Sequence, residues 1–230
     1  MGERGSRPVE LENDDVAHVA ALHAIEHAAP NLWLGLQVHR FERTTKLFWT
    51  FGTTPATAAI RNYEVADGRF LRDDDVEKSA RVVFLGAKAA RRLFGRRPAV
   101  GRTIQIEGIP FSVVGVGREK GDQIVNIGPL DDELSSIPIT TAQRRVTRED
   151  RIGGMIFAPT TREASEDAIR RVRQVLGLRH DFRPDDERAL SFFNIQGAVQ
   201  LLDALGLGIE IFLTSAGLIT LLEGAVGVMN

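Results

Sequence analysis

The chain contains no cysteine. That excludes disulfide staples, thiolate nucleophiles and cysteine-ligated zinc together, and it leaves the redox character of the compartment undetermined. A strong charge of either sign is also missing, since 29 Lys and Arg stand against 31 Asp and Glu, for a net charge of −2. No global field exists for nucleic acid or for anionic lipid, and nucleic acid is excluded as a partner on this count. No secretory leader opens the sequence, because MGERGSRPVELENDD is polar throughout. Internal repeats and low-complexity tracts are absent as well.

What is present is ordinary for folded protein: 230 residues, 43% hydrophobic and 26% charged. This is enough material for one large or two small domains around a sizeable core. NDDVAHVAAL (13–22) predicts a short helix capped by Asn13 or Asp14, with Val16, Val19 and Leu22 on one side and Pro30 limiting its continuation. LWLGLQVHRF (32–41) and KLFWTFG (46–52) predict two strands of a hairpin around the polar ERTT. The acidic run RDDDVEKSA predicts a helix start. RVVFLG (81–86) predicts a buried strand, and AKAARRLFG a helix with Ala87, Ala90, Leu93 and Phe94 on one face and Gly95 as left-handed cap.

RTIQIEGIPFSVVGV then predicts a hairpin turning at Glu107-Gly108, its return strand opened near a sheet edge by Pro110. After a long loop region (117–136), IPI and RIGGMIFAP predict strands and TTAQRRV a short helix. Residues 161–176 predict the best-specified helix. Thr160 and Glu163 stand at capping-box spacing, Glu166–Arg170 and Asp167–Arg171 form ion pairs, Ala168, Ile169, Val172, Val175 and Leu176 make a stripe, and Gly177 stops the run. The fold class expected is α+β.

From Leu205 to Asn230 only Glu210 and Glu223 carry charge. That length of apolar helix suffices to cross a bilayer core of roughly 20 residues. Ala216, Thr220 and Gly224 lie four apart and offer a small-residue face for another membrane helix. Glu223 is a carboxylate within that segment, facing neighbouring helices or the interface, or else coupling helices or relaying protons. A chain ending there is expected to be a fragment.

Catalytic and metal chemistry finds little support. His23 and His27 stand at i, i+4 spacing but lack a third ligand, so they are taken as solvated or packing histidines. DDDVE lacks the alternating oxygens and glycine of a calcium loop and is better taken as a helix N-terminus. Arg91, Arg92, Arg96 and Arg97 are expected on a solvated face rather than on lipid phosphate or an acidic partner. GVGREKG lacks the phosphate-loop pattern, and no nucleophile elbow occurs. No catalytic, cofactor-binding or metal residues are assigned, and an enzyme is the least supported class.

NYEVADGRFLRDDDVEKSARVVFLGAKAARRLFGRRPAVGRTIQIEGIPFSVVGVGREKG resembles the extracytoplasmic core of MacB-type ABC transporter permeases of the FtsX/MacB superfamily. GTTPATAAIRNYEVADGRF, IPITTAQRRV (137–146) and the closing LLEGAVGVMN are similar to that family's motifs in the same order, so the resemblance spans residues 11–230. The chain departs from the family at Leu22-His23-Ala24-Ile25, at Arg96-Arg97 and at Glu223. The resemblance implies a discontinuous porter-like subdomain (1–55 and 136–193), an inserted β-rich sabre-like subdomain (56–135), and a stalk with the start of the second transmembrane helix (194–230). It implies a dimeric permease, pairing with a second copy or a homologue, in a bacterial inner membrane with residues 1 to about 200 extracytoplasmic. A separate or fused ATPase would bind ATP and magnesium. A periplasmic adaptor, an outer-membrane channel and membrane lipid are the further partners implied.

Two function classes follow. One is a non-catalytic transporter component that relays ATP-driven motion for export of drugs, peptides or lipoproteins. The other is an anchored or soluble extracytoplasmic binding module with no ATPase behind it.

Overall fold

The computed structural model describes residues 9–121, 129–161, 163–186, 188–193, 204–218 and 220–221. Chain packing divides the protein into Met1–Phe192 and Phe193–Asn230. The first unit is mixed α and β. It runs β1 (Leu11–Glu12), α1 (Asn13–Ala20), β2 (Ile25–Phe41), β3 (Thr44–Thr53), α2 (Ala56–Ile60), β4 (Val65–Gly68), α3 (Asp73–Glu77), β5 (Val82–Leu85) and α4 (Ala87–Phe94). There follow β6 (Thr103–Ile106), β7 (Ile109–Gly117), β8 (Leu134–Pro138), α5 (Ile139–Thr141) with a π-helical turn over Ala142–Thr147, β9 (Arg151–Ile152), β10 (Gly154–Pro159) and α6 (Ser165–His180).

Eight strands form one sheet in the order β10-β2-β3-β8-β5-β7-β4, and β6 pairs with both β7 and β2. That double pairing closes a circuit β2-β3-β8-β5-β7-β6. Alternation along the six strands sends one side chain in two into the circuit. His39, Phe48, Ile104, Ile106, Phe111, Leu85 and Ile137 are all fully enclosed. Strands drawn from 25–53, 82–85, 103–117 and 134–138 thus share one interior.

Local chemistry explains the elements. Glu107 and Gly108 both take positive φ, 47° and 78°, as a two-residue hairpin turn of matching twist requires. The β2–β3 hairpin needs only Glu42 and Arg43, with Thr44 and Thr45 already in β3. β5 lies between β7 and β8 in the sheet and has a continuous apolar run because both its faces are covered, Val83 and Leu85 packing in one buried cluster and Phe84 in another. Pro110 falls where β7 pairs with β6 alone, two residues before β5 joins at Ser112. Gly115 permits a close crossing, since a Cβ there would overlap the carbonyl oxygen of Arg69.

Several expectations shift in detail. α1 is opened by the Glu12 N–H, which donates to Asp15 Oδ2 at 2.9 Å, while Asn13 is already helical and donates to Gln143 Oε1 at 3.1 Å. Pro30 interrupts no helix but lies within β2, opposite Met155 of β10. α6 begins at Ser165, after the expected Thr160–Glu163 cap, and passes through Gly177 to His180, where Asp181 takes the left-handed conformation. It buries Ala168, Val172, Leu176 and Gly177, and both Arg170 and Arg171 pair with Asp167, at 3.0 and 2.6 Å. Gly95 has positive φ at 65°, but its ψ of −120° lies outside the left-handed helical region.

In the second unit residues 204–218 and 220–221 are helical. No helix among the described residues is long and apolar enough to cross a membrane.

Candidate functional site

Three constellations stand out once the side chains are placed. The first is a polar group sealed inside the strand circuit. His39 of β2 lies opposite Ile106, and its Nδ1 is 3.0 Å from the Gln37 carbonyl, so that nitrogen donates. Nε2 then accepts from the Ser135 hydroxyl at 2.9 Å, and Thr50 Oγ1 lies 3.0 Å from Ser135 Oγ. A serine beside a histidine invites comparison with a nucleophile and its base. Here all three residues are fully buried and the second imidazole nitrogen faces a backbone carbonyl, so the group pins β2, β3 and β8 together.

Burial pushes the His39 imidazole down to about 4, against the Gln37 carbonyl and the Glu107 charge, which raise it. Unfolded, the ring titrates near 6.5. Between those values the unfolded chain binds a proton that the folded one refuses, so stability is full above about pH 6.5 and falls as pH drops toward about 4. The total loss from this group is about 3 kcal/mol. Urea unfolding at steps between pH 7 and 4.5 should show that slope in the native protein and lose it in His39→Gln. An unchanged slope in the variant would contradict the sealed histidine.

The second constellation ties helix α1 to the end of α6. Asp15 of α1 is fully buried. It accepts from the Glu12 N–H, from Arg179 Nε at 2.8 Å and from His180 Nε2 at 2.8 Å, both at the end of α6. Arg179 also reaches Asp14 at 2.8 Å. Burial works to raise the Asp15 carboxyl, but the Glu12 N–H, Arg179 and His180 outweigh it and hold the group below the ordinary carboxylate range. Elsewhere in the first unit, Asp131 gathers Arg61, the Tyr63 hydroxyl at 3.0 Å and Lys120 Nζ at 2.9 Å. Burial raises the Tyr63 phenol, with Arg61 opposing and Asp131 reinforcing.

The third is an open face. On the outside of the β2–β3 hairpin, Leu36 is directly opposite Trp49 and Val38 opposite Leu47. Trp33 meets Trp49 edge-on at 6.1 Å and Phe51 at 4.4 Å. Trp33, Leu36, Leu47 and Trp49 remain 39, 50, 53 and 37% exposed. This face escaped the sequence reading, although a signal exists. LWLGLQV is apolar on both strand faces, and the bulge at Gly35, with φ of 75°, resets the alternation that would have separated them.

The residues singled out from sequence are dispersed. His23 is exposed in a turn and His27 half-buried in β2, and no cluster of potential metal ligands occurs among the described residues. DDDVE opens α3, with Asp75 accepting from the Arg72 N–H at 2.9 Å and held by Arg69 at 2.6 Å. Arg91 pairs with Glu119 and Arg97 with Glu42, each at 2.8 Å, on an exposed face. Ala216 and Thr220 are exposed one helical turn apart, with the Thr220 hydroxyl donating to the Ala216 carbonyl at 2.9 Å. Glu223 and Gly224 lie outside the described residues.

The first two constellations are held inside the fold, and the aromatic face of the β2–β3 hairpin is open to solvent. Residues 2–175 match the family model of the MacB-like periplasmic core domain, and the chain belongs to that family. It is 31% identical over 241 residues to a macrolide export ATP-binding/permease protein MacB of Rhodospirillum rubrum, covering 100% of this chain and 35% of that protein. It is 29% identical over 221 residues to the pyoverdine export ATP-binding/permease protein PvdT of Pseudomonas aeruginosa, covering 96% and 32%. The chain therefore spans about a third of the length of the curated relatives it matches. In structure it is similar to the periplasmic region of MacB from Actinobacillus actinomycetemcomitans, with TM-score 0.71, 20% identity and 88% of each chain covered. It is also similar to the extracellular domain of the noncanonic ABC-type transporter YknZ from Gram-positive bacteria, with TM-score 0.66, 15% identity, and 77% of this chain and 88% of that one covered.

Proposed function

We propose that the chain is the extracytoplasmic core of an ABC export permease and relays motion generated by a cytoplasmic ATPase to cargo or to an envelope partner. The family match over residues 2–175 carries this reading. The α1–α6 clamp supports it, because Asp15 ties the last turn of α6 to α1 and so to the rest of the first unit. Catalysis is assigned to a separate or fused nucleotide-binding domain that holds ATP and magnesium, since the Ser135–His39 pair is sealed from substrate.

The same reading places the domain outside a bacterial inner membrane, in a permease that pairs with a second copy or a homologue. It divides the chain into porter-like pieces (1–55 and 136–193), an inserted sabre-like piece (56–135) and a stalk (194–230). Ala216, Thr220, Glu223 and Gly224 would form the packing or coupling face of the membrane helix. A periplasmic adaptor and outer-membrane channel complete the expected assembly. The open aromatic face favours one further reading, a binding module with no ATPase of its own.

The test uses the complete gene product in its membrane. Excising this domain should abolish export while leaving ATP binding intact, and DNA flanking the reading frame should encode further membrane helices and an ATPase. Undiminished export after excision would sink the transport reading and leave the binding module.

A further inference from the structure

We infer that the outer face of the β2–β3 hairpin is a docking surface for a protein segment whose apolar stripe ends in acidic residues. The apolar part is continuous along the hairpin, from Trp33 through the Leu36–Trp49 pair to Val38 and Leu47. By strand rise this is a strip of roughly 16 Å, long enough for a strand or two to three turns of helix. Paired tryptophans flanked by leucines are the residue types that anchor interfaces, giving large rigid area at low entropic cost. At its inner end the strip closes against buried Phe51, over which Arg61 lies 5.9 Å from the ring centroid.

Charge decides what docks at the outer end. Arg40 follows Val38 on the same face, opposite Thr45, and Arg43 stands beside it in the hairpin turn. Among the described residues no carboxylate pairs with these two cations. The acids nearby are already engaged, Glu42 with Arg97 at 2.8 Å and Glu107 with the Val38 N–H at 2.6 Å. An apolar strip running into unmatched cations is complementary to an apolar segment running into Asp or Glu.

The alternatives fit less well. A second copy of this face would bring cations and no carboxylate, so a two-fold pairing would leave them without counter-charge. A bilayer would meet the polar hairpin tip first, Glu42 to Thr45, with the apolar residues set back along the strands. This assignment goes beyond the transport reading, and its failure would leave that reading standing because export is measured separately.

The protein supplies its own reporter, since Trp33 and Trp49 are its only tryptophans. Emission of the full chain would be followed against a leucine-striped amphipathic peptide ending in Asp and Glu, the same peptide ending in Lys, and phosphatidylglycerol vesicles. The acidic peptide should shift emission to the blue saturably, at concentrations on the order of tenfold below the Lys-ended one. The double variant Arg40→Glu, Arg43→Glu, exposed positions whose fold circular dichroism verifies, should reverse that preference. Equal response to both peptides, a shift with vesicles only, a concentration-dependent shift without peptide, or no shift at all would each overturn the assignment.

Discussion

Phe111→Ala should lower the unfolding free energy by about 3–5 kcal/mol, among the largest effects of any single substitution in this protein. Phe111 is fully enclosed and pairs across β6–β7 with Ile104, itself buried. Its ring points into the β2-β3-β8-β5-β7-β6 circuit, where Phe48, Ile106 and Val113 are also buried. A cavity there cannot collapse easily, because the surrounding walls are hydrogen-bonded ladders that hold their spacing. Urea unfolding followed by far-ultraviolet circular dichroism reads the change. Phe193→Ala, at an exposed position of the second unit, should move stability by no more than about 0.5 kcal/mol. A cost below about 1 kcal/mol for Phe111→Ala would mean that the ring does not fill a rigid interior.

The closure on which that prediction rests was not legible in the sequence, although most of its strands were. Ile104, Ile106, Phe111 and Val113 announce a hairpin by alternation, and Glu107-Gly108 announces its turn, because both signals are local. Nothing local tells β6 that its second edge will meet His39 and Arg40 of β2, more than sixty residues earlier. Pairing across such distances is fixed by the shared interior, and a period of two only says that an interior exists. The same limit explains why Ser135, in an unremarkable LSSIP, became the hydrogen-bond partner of His39. Pro30 misled for a related reason. Proline was weighed against a helix, but in β2 its missing N–H is tolerated opposite Met155.

At the termini of elements, short-range chemistry was outvoted by tertiary contact. Gly177 looks like a helix stop. α6 nevertheless runs on to His180, because its last turn is held from outside by Asp15. The residues expected in a membrane helix rested on spacing and on family resemblance alone. Ala216 and Thr220 lie one helical turn apart, with the Thr220 hydroxyl donating to the Ala216 carbonyl. The open aromatic face was missed because a sequence reading assigns each apolar strand residue to a core, whereas Leu36 and Leu47 face outward on strands whose other face already fills one.

Asp15→Ala should cost about 2–4 kcal/mol, the second large effect. It deletes the acceptor for the Glu12 N–H at the start of α1 and for both Arg179 and His180 at the end of α6. The figure lies toward the lower part of the range for a broken buried pair because Arg179 is partly exposed and keeps Asp14 as a partner. Asp15→Asn retains the shape and can still accept the Glu12 N–H, so it should lose less. The two variants separate the charge from the packing. The Asp15 carboxyl is held below its ordinary range in the folded state, so its contribution is fully present at neutral pH. It is lost only as pH falls below about 4, through the depressed folded value. Native protein should therefore show an acid limb below about pH 4 that is shallower in Asp15→Asn, while the His39 limb between about pH 6.5 and 4 persists in both. Hydrogen exchange at amides of the last turn of α6 should rise in Asp15→Ala before any change in the strand circuit. Exchange unchanged at 177–180 would show that α6 is held by its apolar stripe of Ala168, Val172 and Leu176 rather than by Asp15.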